Sequence, residues 1–326
     1  MKTPENDLIR KIRGAASSSS RRGSAVRLGI GDDAALFSPR RGYETILTCD
    51  WFLEGTHFLR DKHPADSVGW KCLARAVSDI AAMGGEPRCF LLSLAIPETH
   101  TGRWLDGFLA GLGRAARKFK CPLAGGDTTR RQEILMNVTV VGEVRPGYAL
   151  QRSGAKPGDI IFVSGRLGEA DLGLRRLRAK TRIRKNDPAL RKHLYPEPRI
   201  SLGRWLTDHR IATATMDLSD GLSSDLPRLC AASHVGARLN ASAIPVARVP
   251  KRNSATSNAL TLALNGGDDY ELLFTIRPNK AREIPRAFQG IPLTAIGEIT
   301  RNQTLYAVQP DGEEQPLPPH GWDPFR

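Results

Sequence analysis

Short apolar runs cut off by proline or glycine alternate with segments of helical spacing along most of this 326-residue chain. That alternation confines it to folds that lay helices against sheets. Residues 26–28 and 44–49 read as strands. Between 66 and 83, Val68, Cys72, Ala76, Val77 and Ile80 recur on one helical face, and Gly84-Gly85 ends the run. Residues 89–96 are almost continuously apolar and stop at Pro97, the pattern of a buried strand. Leu105, Phe108, Leu109, Leu112, Ala116 and Phe119 mark a second amphipathic helix, and 134–144 alternates as a strand. The second half repeats the scheme, with strands predicted at 160–163, 212–216, 272–276 and 293–296 and a helix at 222–232. Proline and glycine gather between Pro146 and Gly158, which places a domain boundary there and divides the chain into 1–148 and 149–326. The proline-rich tail, 311–326, is expected to be irregular.

A hydrophobic content of 40% with 25% charged residues is that of an ordinary globular protein. No apolar run approaches the roughly 20 residues that span a bilayer, and residues 1–13 carry charges without an apolar leader core. A protein without membrane segment or leader is therefore expected. The five cysteines are scattered, with no Cys-x-x-Cys pair, and the seven histidines show no metal-ligand spacing. This disfavours a disulfide framework or a zinc site and points to a reducing cytoplasm. The formal net charge is +14, much of it in residues 175–192 (RRLRAKTRIRKNDPALRK). That segment is expected to form a solvated helix face and loop. It contains no aromatic residue on which a base could stack, so nucleic acid is not the expected partner. A basic surface also attracts phosphorylated substrates.

Against this basic background, small acidic motifs flanked by glycine recur: Gly29-Ile30-Gly31-Asp32-Asp33, Thr48-Cys49-Asp50, Ser78-Asp79, Gly125-Gly126-Asp127, Asp217-Leu218-Ser219-Asp220-Gly221 and Gly266-Gly267-Asp268-Asp269. Carboxylates without neighbouring His or Cys suit hard cations such as Mg²⁺, and glycine lets a backbone approach a phosphate. Each motif also has a plainer reading. The 29–34 stretch formally matches a dinucleotide fingerprint, but two carboxylates would face the pyrophosphate, so an acidic helix N-cap is the better alternative. Asp50 could simply end a strand, Asp79 could face solvent, Gly126-Asp127 could be a turn, Asp217–Gly221 a helix cap and Gly266–Asp269 a hairpin turn. His57 alone reads as a surface histidine. No G-x-x-x-x-G-K-[ST] loop occurs, which excludes a P-loop kinase. A weak echo links the halves: Asp79 precedes Asp127 by 48 residues, as Asp220 precedes Asp268, and Gly-Glu-Val or Gly-Glu-Ile follows each pair.

Taken as whole strings, GIGDDAALF, LTCDWFLEGTHF, AVSDIAAMGGEP, AGGDTTR, QRSGAKPGD, MDLSDGLSSDL, NGGDDYELLFT and the terminal GWDPF resemble the thiamine-monophosphate kinase family, of the aminoimidazole ribonucleotide synthetase-like superfamily. The resemblance runs from about residue 28 to the C-terminus. It implies an α/β (α+β), two-domain PurM-like fold, with a mixed N-terminal sheet and helices for nucleotide, metal and dimer contacts and a C-terminal α/β domain completing the site. It implies ATP-dependent phosphorylation of thiamine monophosphate to thiamine diphosphate, with Mg²⁺ between the substrates, in a homodimer formed through N-terminal-domain strands. By the same resemblance Asp32, Asp33, Thr48, Cys49, Asp50, Asp79, Asp127, Asp217 and Asp220 hold metal. Gly126, Asp127, Arg152 and Ser219 contact ATP, and His57, Asp268 and Trp322 border thiamine monophosphate. Asp50, Asp127, Asp220 and Arg152 carry the catalytic weight. The chain departs from the family at Asp268, where Glu is frequent, at Cys49, where a hydroxyl residue is usual, and at Pro324, where His is common. Within the superfamily, selenophosphate synthetase needs a reactive Cys or selenocysteine near the N-terminus, and residues 1–28 hold no Cys. The hydrogenase-maturation relative needs a C-terminal cysteine, but this chain ends Asp323-Pro324-Phe325-Arg326. Aminoimidazole ribonucleotide synthetase itself fits the SDIAAMG string less well. A different class, a basic nucleic-acid-binding protein on a degenerate kinase scaffold, conflicts with the retained acidic positions.

Overall fold

The computed structural model describes residues 5–16, 25–179, 186–249, 258–323 and 325. The chain divides into two compact units, one of residues 1–80 with 85–147 and one of 81–84 with 148–326.

The first unit runs α1 (Glu5–Ala16), β1 (Val26–Leu28), β2 (Leu36–Phe37), β3 (Glu44–Leu53), α2 (Ala65–Ala82), β4 (Glu86–Ile96), α3 (Arg103–Lys118), β5 (Leu123–Arg130) and β6 (Leu135–Val144). Four strands form one sheet in the order β3-β6-β4-β5, antiparallel except for the β4–β5 pair. The period of two sorts β3 cleanly. Ile46 and Phe52 are buried on one face, and Thr48 and Asp50 share that face. Leu47, Cys49 and Trp51 are exposed on the other. Helix α2 covers the inner face, where Val138, Val140 and Phe90 are fully buried. It crosses α3 so closely that a Cβ on Gly69 would lie 2.0 Å from the Phe108 carbonyl, and one on Gly111 1.8 Å from that of Asp66. Glycine is required there by backbone contact.

The second unit runs β7 (Ile160–Ser164), α4 (Glu169–Arg178), α5 (Pro188–Leu194), α6 (Ile200–Asp208), β8 (Ala212–Leu218), α7 (Leu222–Ser233), β9 (Gly236–Asn240), α8 (Ala259–Asn265), β10 (Glu271–Ile276), β11 (Ala287–Phe288), β12 (Ile291–Thr300), β13 (Leu305–Val308) and β14 (Glu314–Pro316). The sheet order is β14-β13-β9-β12-β7-β10-β8, with β11 on β12. Alternation again sets the faces. Ile161 and Val163 pack with Leu222, Leu226 and Leu229 of α7, whereas Phe162 packs with Phe274 and with Leu202 and Leu206 of α6. Covered on both sides, β10 is buried along its whole length. The expected strands and helices match these elements to within a residue where they overrun: α2 stops at Ala82, α3 at Lys118, and β6 begins at Leu135. The tail departs from the irregular expectation: its residues 314–316 pair with β13 at the sheet edge, where a proline costs no central ladder bond.

Among the described residues no helix is long and apolar enough to cross a membrane. All five cysteines are free and only Cys49 is exposed. Burial pushes the Cys72 and Cys230 thiols up to about 12 and Cys89 to about 11, so these sulfurs are apolar fillers.

The basic segment at 175–192 is described except for 180–185. Arg175 pairs with Asp171 across one helical turn, Arg176 with Asp187 at 2.6 Å, and Lys192 with Glu271. Arg175, Arg176 and Lys192 are thus answered within the fold, the last two largely buried rather than solvated, and the stretch of the expected loop at 180–185 lies outside the described residues. Glu271 is 1% exposed and also accepts from Arg199 and, at 2.6 Å, from the Ser164 hydroxyl. Burial alone would raise its pKa, but Lys192 and Arg199 bring it down to about 2.

Two outcomes follow from this packing. Gly111→Ala forces a Cβ into the Asp66 carbonyl and should cost about 1–3 kcal/mol of unfolding free energy; a denaturant midpoint equal to the parent's would refute the crossing. Because the folded Glu271 carboxyl sits below its unfolded value, its stabilisation is complete above about pH 5 and drains as pH falls toward 2. Glu271→Gln should therefore be less stable at pH 7 and show a flatter acid limb; parallel pH curves would count against the buried charge cluster.

Candidate active site

In the first unit the acidic motifs collect around the four-stranded sheet but on different faces. Thr48 Oγ1 donates to Asp79 Oδ2 in a short hydrogen bond, so the helical carboxylate turns onto the inner face of β3 rather than to solvent. Asp50 lies two residues on, on the same face, with the Arg75 guanidinium at 3.9 Å. Arg75 also stands over the Phe52 ring at 5.5 Å. The Cys49 thiol points the opposite way and donates to Asn137 Oδ1 at 3.1 Å. Its side chain therefore cannot join Thr48 and Asp50.

Gly126 pairs with Leu92 in the inner row that also holds Val138 and Asp50. A Cβ there would lie 1.9 Å from the Leu92 carbonyl, so packing alone demands glycine. Asp127 falls in the next row, Trp51–Asn137–Ser93–Asp127, on the outer face. Its carboxylate is exposed and accepts from the Thr128 N–H at 2.8 Å. Asp32 and Asp33 are exposed in the loop before β2, and Asp32 Oδ1 takes the Asp33 N–H at 2.9 Å. No helix follows this loop, so the N-cap alternative fails, as does the dinucleotide fingerprint. His57 sits in the turn after β3, where its Nδ1 accepts the Leu53 N–H at 3.0 Å. The neutral ring then carries its proton on Nε2 and presents a donor, not a base.

In the second unit three segments are tied by main-chain bonds. The turn between β8 and α7 accepts Tyr270 N at Leu218 O (2.8 Å), Asp268 N at Ser219 O (2.8 Å) and Trp322 N at Asp220 O (2.9 Å). Asp220, Asp268 and Trp322, scattered over a hundred residues of sequence, thereby border one turn. Asp217 is buried at the end of β8. Asp268 and Tyr270 both hold left-handed backbone, with φ of 70° and 49°, a strain characteristic of functional loops. The Tyr270 hydroxyl donates to Asp268 Oδ1 at 2.7 Å, and the buried His193 ring lies 4.0 Å from Oδ2. Asp269 turns away from this group and accepts the Gly168 and Ala170 N–H groups that open α4. Burial pushes its carboxyl up to about 7 against the pull of Lys192 and those donors. The Arg152 carbonyl accepts from Ser233 Oγ, at the end of α7 away from Ser219.

The turn itself is held by a residue that sequence reasoning passed over. Asp225, fully buried, accepts the N–H groups of Ser219 and Asp220, each at 3.0 Å. Gly221, not a side chain, occupies the N-cap position of α7. The available signal was the position of Asp225 in the first turn of a predicted helix, where a carboxylate reaches back to free N–H groups. Among the described residues no three His, Cys, Asp or Glu form a ready metal cage.

The chain matches the family described as AIR synthase related protein, N-terminal domain, over residues 31–144, and its C-terminal domain over 156–308. It is 38% identical over 305 residues to the thiamine-monophosphate kinase of Escherichia coli (strain K12), covering 92% of each chain. The crystal structure of thiamine-monophosphate kinase from Stenotrophomonas maltophilia K279a superposes with a TM-score of 0.83 at 35% identity, covering 97% of this chain and 99% of that one. A structure described as AaThiL complexed with AMPPCP and TMP gives 0.77 at 32% identity over 98% and 96%. The fold is therefore the two-domain one that the resemblance implied, and the chain belongs to the thiamine-monophosphate kinase family of AIR-synthase-related proteins.

Proposed function

We propose that this protein transfers the γ-phosphoryl group of ATP directly to thiamine monophosphate, forming thiamine diphosphate, with Mg²⁺ as the accompanying cation. The observation that carries the reading is similarity along nearly the whole chain to thiamine-monophosphate kinases, one of them described in complex with AMPPCP and TMP. The acceptor is a phosphate anion, so no strong general base is required, and the donor tautomer of His57 suits a substrate contact. What must be overcome is repulsion between two polyanions, about 4 kcal/mol per charge pair at 4 Å near a protein surface.

The donor set suits Mg²⁺. Among the described residues no three His, Cys, Asp or Glu gather in a cage, and Thr48 and Asp79 meet as a pair of oxygen donors. One or two carboxylates are what Mg²⁺ takes from a protein when nucleotide phosphates complete its shell. Asp32, Asp33, Asp50, Asp79 and Asp127 of the first unit, with Thr48 as an oxygen donor and Cys49 through its carbonyl, and Asp217 and Asp220 of the second would each supply ligands to such ions. Bound there, the cation neutralises phosphate charge. Ser219 and Gly126 would lie along the nucleotide. Asp268, fixed by Tyr270, and Trp322 would border thiamine monophosphate. Arg152 would contact ATP through its fork of donors.

We further propose a cytoplasmic homodimer. The outer face of the four-stranded sheet exposes Leu47 (70%), Trp51 (58%) and Leu91 (40%), an apolar face of the kind that self-association covers. Four buried thiols fit a reducing compartment.

Purified protein with ATP, Mg²⁺ and thiamine monophosphate should yield thiamine diphosphate, followed by chromatography, and chelation should stop it. Asp50→Asn, Asp127→Asn and Asp220→Asn should each lower kcat at least about a hundredfold; near-normal turnover in all three would sink the metal-bridged reading. Leu47→Glu combined with Trp51→Glu should sediment as a monomer where the parent sediments as a dimer. Identical sedimentation of the two proteins would dismiss this face as the contact.

A further inference from the structure

The carboxylates of Asp220 and Asp225 are joined by one nitrogen. Arg228 Nη1 donates to Asp225 Oδ1 at 2.8 Å and, more closely still, to Asp220 Oδ2. The three groups differ in freedom. Asp225 is 0% exposed, and its other oxygen is committed to the Ser219 and Asp220 N–H groups. The Arg228 side chain is 44% exposed and the Asp220 carboxylate 23%. The aspartate that shapes the turn is therefore locked, while the guanidinium can swing into solvent without opening the core. Two carboxylates this close need a positive charge between them.

We propose that Arg228 is a displaceable internal counter-cation, which holds the Asp220 carboxylate beside Asp225 until a divalent cation with nucleotide takes Asp220 from it. The inference rests on the kinase reading, in which Asp220 is a cation ligand. Asp225 keeps the turn through its main-chain donors whichever cation Asp220 faces, so the exchange leaves the 218–220 backbone and its bonds to Asp268 and Trp322 in place. Arg228 thereby competes with the incoming ion and sets the Mg²⁺ concentration at which the turn is loaded. It is a positioning residue, acting through Asp220.

The test uses the full chain, as Arg228→Gln and Arg228→Lys, and reads thermal unfolding rather than turnover. In EDTA, R228Q should melt below the parent, because two carboxylates lose their counter-charge. With a non-hydrolysable ATP analogue and increasing MgCl2, the midpoint of Mg²⁺-dependent stabilisation in R228Q should fall about two- to fivefold, the span of a partly exposed ion pair. R228K, which keeps the charge but not the fork, should fall between R228Q and the parent, and it carries the test alone if R228Q does not fold. A midpoint unchanged or raised in the variant, equal melting in EDTA, or a parent without any Mg²⁺-dependent shift each overturns the proposal. Turnover is assayed separately. A parent that makes thiamine diphosphate while its variants keep the same midpoint loses this inference alone, and a parent that makes none loses the kinase reading.

Discussion

Main-chain hydrogen bonds at residues 218–220 are the constraint on which the candidate site in the second unit depends. Three carbonyls in succession, of Leu218, Ser219 and Asp220, accept N–H groups from Tyr270, Asp268 and Trp322. Side chains from three distant segments are therefore positioned by backbone, and the turn that supplies those carbonyls is itself held from below by Asp225. A Cβ on Gly267 would lie 2.7 Å from the Ser219 carbonyl, so the glycine before Asp268 permits the close approach that these bonds need. The strain at Asp268 and Tyr270 is tolerated because the segment is fixed on both sides, by the turn and by the fully buried β10.

Periodicity made most of the architecture legible. Strands such as 89–96 and 134–144 announced themselves because both local propensity and burial favour one answer, and the amphipathic face of α3 is the one that is buried. Resemblance along the chain then supplied the family, which composition alone could not. The pairing order of the strands was not legible, since β7 and β10 meet across more than a hundred residues. Nor was the short edge strand in the tail, whose prolines argue against a strand unless it lies at a sheet edge.

Site residues were legible as chemistry and less so as geometry. Thr48, Cys49 and Asp50 are adjacent in sequence, yet the strand period sends the cysteine thiol to the opposite face. Gly126 reads as a phosphate-approach glycine, and Leu92 gives it a packing reason of equal force. Asp268-Asp269 looks like one acidic pair, but the second carboxylate is spent on the N-terminus of α4. The echo between the halves is similarly partial: Asp79 lies near the end of α2, whereas Asp220 precedes α7. In each instance a side chain's neighbours are set by tertiary contacts that a single sequence does not display.

The row Trp51–Asn137–Ser93–Asp127 sets an apolar ring and a proposed nucleotide carboxylate on the same exposed sheet face. They stand on opposite edge strands, about 14 Å apart, so a partner broad enough to cover the whole face would change the solvent around both. Assembly and catalysis would then be drawn from one surface. Under the proposed dimer and nucleotide roles, a substitution that adjusts how firmly two copies hold together would also retune how the site treats its anionic substrates.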